Sequence, residues 1–447
     1  MRLVLDQGGQ SSRAFVVDEA GNVAASASVS VATYSDGSGI VEQDPEEIVA
    51  SVERCIAEVA KEVPPSEWHS AGLACQRSSV VAWDRASGDA RTPVLSWMDT
   101  RAGRTFDQMR LDTQRLRAIT GLVASPHYGA TKLRWMREHL AKDRALGYGP
   151  LASFLLHRLL DERPYRVSHS IAQRTLLYDV HTRDWSDDLL QAFGVPREAL
   201  PHPVDDRSVH GTLCGVPLAL CAGDQNIVPF AAGSPTTDTA YLNLGTGAFL
   251  LRPVARAADV PDALLLAPLD DHAFAAEGTV NGAGSAISWF EQETDQAFPW
   301  TALARVDPAC APLFVNGIGG VGSPFWRTDV RARFEPDAGD AASRAYAVLE
   351  SVVFLVRANF DRMTPARRVV ATGGLAAQPF VRTLLTRVLG TPVETGPREA
   401  TVQGLAALLG CAVTAPRAAE RGDDTSAGGS AECLAGRYAR WCSLLFA

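Results

Sequence analysis

The sequence predicts an α/β fold built as two related halves, and three observations carry the prediction. The chain opens on a strand, a polar glycine loop and a second strand, in LVLDQGGQSSRAFVVD. The same pattern returns far downstream in TAYLNLGTGAFLLRP. Elsewhere strand-like apolar runs alternate with helical periodicities, the pattern of sheets covered by helices. One glycine hairpin alone is an ordinary structural feature. Two copies, each opening one half of the chain, read as an internal repeat.

Taken in order, residues 2–6 and 14–18 read as strands, and 22–32, where apolar and small residues alternate, as a third. The run DPEEIVASVERCIAEVAKEV reads as a helix. Asp44 suits the N-cap, Pro45 the first helical position, and Glu47 completes a capping-box pattern. Ile48, Val52, Cys55, Ile56, Val59 and Val63 then recur at helical spacing. AGLAC before QRSS, and PLALCAGD before QN, are apolar runs that end in polar residues. The polar stretch 232–238, with Pro235 inside it, marks a domain junction and divides the chain into 1–233 and 234–447. In RRVVATGGLAAQPFVRTLLTRVLG a strand ends at Ala371 and Gly373 and Gly374 turn the chain. A helix follows with Phe380, Val381, Leu384, Leu385 and Val388 on its buried face. Backbone amides at such a helix start can hold an anion. Residues 417–432 read as a surface loop.

Bulk properties narrow the function. The 447 residues, 46% hydrophobic and 21% charged, suffice for two domains with large cores. A net charge of −9 argues against a nucleic-acid partner. The eight cysteines show no CxxC pair or zinc-type spacing and read as reduced and mostly buried. No signal peptide precedes Leu3, and no apolar run reaches the roughly 18 residues that span a bilayer. The expectation is a soluble cytoplasmic protein without a membrane partner.

The motifs then converge. LDQGGQSSRAFVVD, VEQDPEEI, CQRSSVVAWD, SWMDTRAGR, TGLVASPHYGATKLRWMREH, QRTLLYDVHTRDWSDDLL, AGDQN, LNLGTGAF, GVGSPFW, AYAVLES and ATGGLAAQPF follow one another along nearly the whole chain. In this order they resemble the FGGY carbohydrate kinases, and among these most the glycerol kinases. The resemblance implies two actin-like (ribonuclease H-like) domains with mixed central sheets and a cleft between them. The N-terminal domain would carry the acceptor site and catalytic base, the C-terminal domain most nucleotide contacts. The implied reaction is ATP-dependent phosphorylation of a hydroxyl on a small carbohydrate or polyol, with ATP and Mg²⁺ as cofactors. Glycerol kinase proper, and a non-catalytic nucleotide- and sugar-binding sensor, are the alternatives. A homodimer is left open. The absence of GxxxxGK[ST] excludes a Walker-type NTPase, and the two glycine hairpins offer another way to present amides to phosphate.

The chemistry needs a carboxylate to take the hydroxyl proton, donors for phosphate, and oxygen ligands for the metal. Asp224, after the apolar run PLALCAG, matches the family's general base, although a lone strand-end aspartate is more often a turn residue. Gln225 matches a substrate-binding neighbour. Asp6 ends the first strand and would hold metal-bound water. Gly9, Gln10, Ser11 and Arg13 match positions near the nucleotide phosphates, with Gly9 and Gln10 standing where glycerol kinases carry two threonines. Thr246 would face phosphate from the second hairpin. Gly320, with Gly322, would lie on the nucleotide side, and Gly374 and Gln378 would flank adenine or ribose. Gln378 replaces a customary asparagine. Trp97 and Phe249 match the aromatic residues that bracket the acceptor carbons, and Arg77 an arginine that binds its hydroxyls. Ser78 stands where a glutamate is expected and His127 where a tyrosine is expected. The loss of a carboxylate and a phenol points to an acceptor other than glycerol.

Overall fold

The computed structural model describes residues 1–140, 145–270, 273–413, 415–416 and 430–446. The chain forms two compact units. One comprises Met1–Gly233, Ala267–His272 and Thr401–Thr414, the other Ser234–Leu266, Ala273–Ala400 and Ala415–Ala447.

In the first unit the strand Arg2–Gln7 is antiparallel to Ser11–Val17 and parallel to Ser70–Cys75. Val23–Ser30 extends the hairpin side antiparallel, and Val216–Gly223 extends the other side parallel. The short strand Thr212–Leu213 completes six strands. Five strands of the second unit repeat this order. Thr239–Leu244 and Ala248–Val254 form the hairpin, Phe274–Val280 continues it antiparallel, and Arg368–Thr372 and Val393–Thr395 follow in parallel on the other side. Leu265–Pro268, whose last two residues fall in the first unit, is the sixth strand of this sheet, beside Phe274–Val280. The duplicated hairpin is therefore the start of a duplicated mixed sheet. Leu3, Val4 and Leu5 are all buried, so residues facing both sides of the opening strand are covered, as a sheet flanked by helices requires.

The helix Pro45–Glu62 packs against the outer strands of the first sheet, with Ile48, Val52, Cys55, Ile56 and Val59 buried. Asp44 caps it by accepting from the amides of Glu46 and Glu47. The expected capping box does not close. The Glu47 carboxylate accepts from the Ala32 amide at 3.0 Å, because the chain leaving the third strand brings that donor to the helix's first turn. The helix Ala400–Leu408 carries Val402, Leu405 and Ala406 into the core of the first unit, beside Val4, Ala74 and Leu220.

The helix expected after the glycine turn forms, and the expectation for the cysteines changes in part. After Thr372 the chain makes a 3₁₀ turn, Leu375–Ala377, and the helix begins only at Pro379. Proline has no amide to donate inside a helix and suits its first position, so the helix start lies beyond the glycines. All eight cysteines are free, but only Cys55, Cys75, Cys221 and Cys411 are buried. Cys214 is exposed at a turn with φ +51°, Cys310 is exposed in a loop, and Cys433 and Cys442 lie half-buried on the helix Ala431–Leu445. Residues 417–429 of the expected surface loop lie outside the described residues, and Ala431 and Glu432 open that last helix. Among the described residues no helix is long and apolar enough to cross a membrane.

Candidate active site

Three adjacent parallel strands of the first unit end at one edge of their sheet. Gln7, Cys75 and Gly223 stand level in the register. Asp6, Arg77 and Asp224 are therefore gathered at the carboxyl ends of neighbouring strands, where open α/β sheets bind ligands. The strands that lead to Asp6 and Asp224 are two strand spacings apart, about 10 Å. Buried Cys75 lies between them. Its thiol pKa is pushed well above the ordinary value, chiefly by burial and then by Cys221, Asp224 and Asp6.

Asp224 is the first residue of the short helix Asp224–Ile227. Its carboxylate accepts from the Gln225 amide at 2.8 Å and from the Gln225 side chain at 3.3 Å. Arg77, itself buried, brings Nε to 3.7 Å from Asp224 Oδ1 and donates to Asn226 at 3.1 Å. Gly223 permits this approach, because a Cβ there would stand 2.8 Å from Arg77 Cδ and 2.6 Å from Asn226 Oδ1. On the far strand Asp6 is opposite Arg13 in the hairpin register, and the two side chains form a hydrogen-bonded ion pair. The loop between them is tight. The Gly8 amide donates to the Ser11 carbonyl, and the exposed Gln10 accepts through its own carbonyl from Val31.

Trp97 and His127 meet edge to face, ring centroids 5.6 Å apart. Ser78 is buried and holds φ +65°. Gly9 also reaches this neighbourhood, since a Cβ on it would lie 3.6 Å from Trp97 Nε1. The first unit thus brings together Arg77, Asp224 and Gln225, pairs Asp6 with Arg13, and sets Trp97 against His127.

In the second unit the exposed Thr246 caps the turn between the hairpin strands, where the Gly245 amide donates to Gly247. The Ser285 amide, in the first turn of the helix Gly284–Thr294, donates to the Thr246 carbonyl at 3.0 Å. Asn243 and Thr372 are register partners at the ends of adjacent parallel strands, with their side chains 3.4 Å apart. Gly374 starts the 3₁₀ turn that follows, and Gln378 is the N-cap residue of the next helix. Phe249 lies two strand positions after Gly247, opposite Asn243 and Thr279. Gly320 lies in a separate turn, at φ +77°, and the neighbouring Gly319 carbonyl accepts from Asn281, whose own carbonyl accepts from Ser285.

Two groups of side chains escape the sequence reading. Gln7, Gln43, Gln76 and Ser79 form a buried network. Gln43 donates to the Gly9 carbonyl at 2.8 Å, Gln76 to both Gln7 and Gln43, Ser79 to Gln76, and the Trp97 amide to Ser79. This chain of bonds joins the glycine loop to Trp97. The second is Lys132, fully buried beneath the same loops. The available signal was the place of Gln43, Gln76 and Lys132 inside the motifs VEQDP, CQRSS and GATKL.

Residues 1–245 match the family model described as FGGY family of carbohydrate kinases, N-terminal domain, and residues 240–413 match the C-terminal domain of the same family. A glycerol kinase of Alkalilimnicola ehrlichii is 33% identical, over 92% of this chain and 90% of its own length. One from Listeria monocytogenes is 31% identical at the same coverages of 92% and 90%. Among solved structures, the Plasmodium falciparum glycerol kinase with ADP superposes with a TM-score of 0.85 at 20% identity, covering 100% of this chain and 99% of that one. The xylulose kinase from Rhodospirillum rubrum gives 0.84 at 22% identity, covering 99% and 97%.

Proposed function

The chain belongs to the FGGY family of carbohydrate kinases, phosphotransferases that act on a hydroxyl group, and from that premise we propose that it transfers the γ-phosphoryl group of ATP to a small carbohydrate other than glycerol. The observation that carries the reading is the Arg77–Asp224–Gln225 cluster at the strand ends. Phosphoryl transfer asks mainly for positioning, charge stabilisation and a base for the attacking hydroxyl. In the proposed reaction Asp224 takes that proton as the acceptor oxygen bonds to the γ-phosphorus and the bond from that phosphorus to the bridging oxygen breaks, releasing ADP. Gln225 fixes the carboxylate's orientation, and Arg77 holds the acceptor's hydroxyls beside it. Trp97 and Phe249 bind the carbon skeleton. The nucleotide contacts are Gly9, Gln10, Ser11 and Arg13 in the first unit, and Thr246, Gly320, Gly374 and Gln378 in the second.

Mg²⁺ fits this donor set. Among the described residues no group of three or more His, Cys, Asp or Glu side chains stands together. A cation that keeps most of its waters and takes phosphate oxygens needs only one or two carboxylates. Asp6 would hold it through water, and the ion would supply charge neutralisation to the phosphates.

The acceptor class follows from Ser78 and His127. A serine hydroxyl and an imidazole offer different hydrogen-bond partners from the glutamate and tyrosine that stand there in glycerol kinases, while Arg77, Trp97 and Asp224 remain. The test is ADP release by purified protein with ATP, Mg²⁺ and a panel of polyols, pentoses, hexoses and ketoses, glycerol included. Acceptor-dependent ADP release is expected, strongest with a compound other than glycerol. Binding of nucleotide and sugar without ADP release would favour the sensor alternative instead.

A further inference from the structure

Lys132 lies on the helix Gly129–His139 between the buried residues Thr131 and Leu133. Its ammonium donates to the carbonyl oxygens of Ser78, at 3.0 Å, and Ser96, at 2.7 Å. These carbonyls belong to two separate loops. One follows the strand Ser70–Cys75 and carries Arg77 and Ser78; the other follows Val94–Leu95 and carries Trp97. Ser78 holds a left-handed backbone at φ +65°, which a serine keeps only where its surroundings over-determine it.

The environment argues against a purely stabilising lysine. Burial pushes its pKa down to about 7, with Asp99 opposing and Arg101 adding to the shift. Asp99 is engaged elsewhere, accepting from the Val41 amide and pairing with Arg101. Both hydrogen bonds of Lys132 go to backbone carbonyls. A methionine of similar length would fill the space without desolvating a charge, but it would leave both carbonyls without this donor and the two loops without their shared tie.

We propose that Lys132 is a positioning residue for the acceptor, tying the Arg77–Ser78 turn to the Trp97 loop so that the bound hydroxyl lines up for transfer. The proposal rests on the kinase reading above. Without this tie the two loops move apart, the acceptor sits loosely, and water competes for the phosphoryl group.

The test compares wild type, Lys132→Met and Lys132→Gln, using the best acceptor from the panel. In Lys132→Met the acceptor KM should rise about tenfold while the ATP KM changes less than about twofold. The ratio of phosphorylated product to ADP should fall below the wild-type ratio, and Tm should fall as well, because the Ser78 and Ser96 carbonyls lose their donor. Lys132→Gln, which keeps an amide donor, should fall between the two. A merely structural lysine would lower Tm and leave the acceptor KM and the product ratio unmoved, and that result overturns the proposal. Should Lys132→Met not fold, an unchanged acceptor KM and product ratio in folded Lys132→Gln overturns it equally. If wild type transfers phosphate to no acceptor on the panel, the kinase reading fails first and takes this proposal with it.

Discussion

At the scale of single residues, the chemistry rests on Asp224 and the groups that hold it. Asp224→Asn keeps the shape and the hydrogen bond from the Gln225 amide but removes the proton acceptor. Loss of a general base costs about 10²–10⁴-fold in rate. The expected outcome is that loss in kcat with Tm nearly unchanged, read by coupled ADP assay and thermal melt. More than half of wild-type turnover would assign the base elsewhere. Ser78 and His127 govern a different quantity, the choice of acceptor. His127 already lies against Trp97, so a tyrosine there would bring its hydroxyl beyond the same indole. Ser78→Glu with His127→Tyr should shift preference toward glycerol. Each added hydrogen bond contributes about 0.5–1.5 kcal/mol, so relative kcat/KM should move about tenfold. The measurement is kcat/KM for glycerol against the best panel compound, in wild type and double variant. A wild type that already phosphorylates glycerol best defeats the idea, as does a folded double variant with an unchanged ratio.

At the scale of elements, strands and turns proved legible where sequence period and turn chemistry agree. Both hairpins, the helix Pro45–Glu62 with its Asp44 cap, and the apolar run ending at Gly223 could be read because each is specified locally. What escaped was set by distant partners. Glu47 looks like a capping-box residue until Ala32 arrives with an amide. Gln43, Gln76 and Lys132 look like surface residues until three loops close over them. The helix Ala400–Leu408 shows the same limit, since nothing local in it says that it packs in the first unit. There Gly404 lies against the Asp224 segment. A Cβ on it would come within 2.2 Å of the Ile227 carbonyl oxygen, and that neighbour is backbone with little room to yield. Gly404→Ala should therefore cost about 1–3 kcal/mol in stability by overpacking. Because the strain falls on the turn that bears Asp224, kcat should fall while the ATP KM holds. Urea denaturation and steady-state kinetics read the two effects, and a variant indistinguishable from wild type in both would mean the helix shifts freely.

At the scale of the whole molecule, one fold is used twice and the chain's last helix returns to complete the second copy. Ala431–Leu445 is tied to the central helix Ala341–Phe360 by Arg437 and Glu350, bonded at 2.8 and 2.7 Å with Glu350 only 1% exposed. Arg437 also donates to the carbonyls of Pro308, Ala311 and Pro312, so all five of its donors are used. Breaking such a pair from one side leaves a buried charge and costs about 3–5 kcal/mol. The cost should depend on pH in a defined direction. Burial raises the Glu350 pKa above its ordinary value, while the hydrogen bond and charge of Arg437 draw it back. Arg437→Met removes both restraints, so the folded-state pKa rises further above that of the unfolded chain. A carboxyl with a raised folded pKa contributes stability that is fully present below its unfolded pKa and is lost as pH rises through the folded one. The deficit of Arg437→Met relative to wild type should thus be smallest near about pH 4, where Glu350 is protonated in both states, and grow toward about pH 8. Part of it should persist at acid pH, because three carbonyls have lost their donor. Chemical denaturation of both proteins across this range measures the difference, and an equal deficit at both ends would show that Glu350 carries no buried charge for Arg437 to balance.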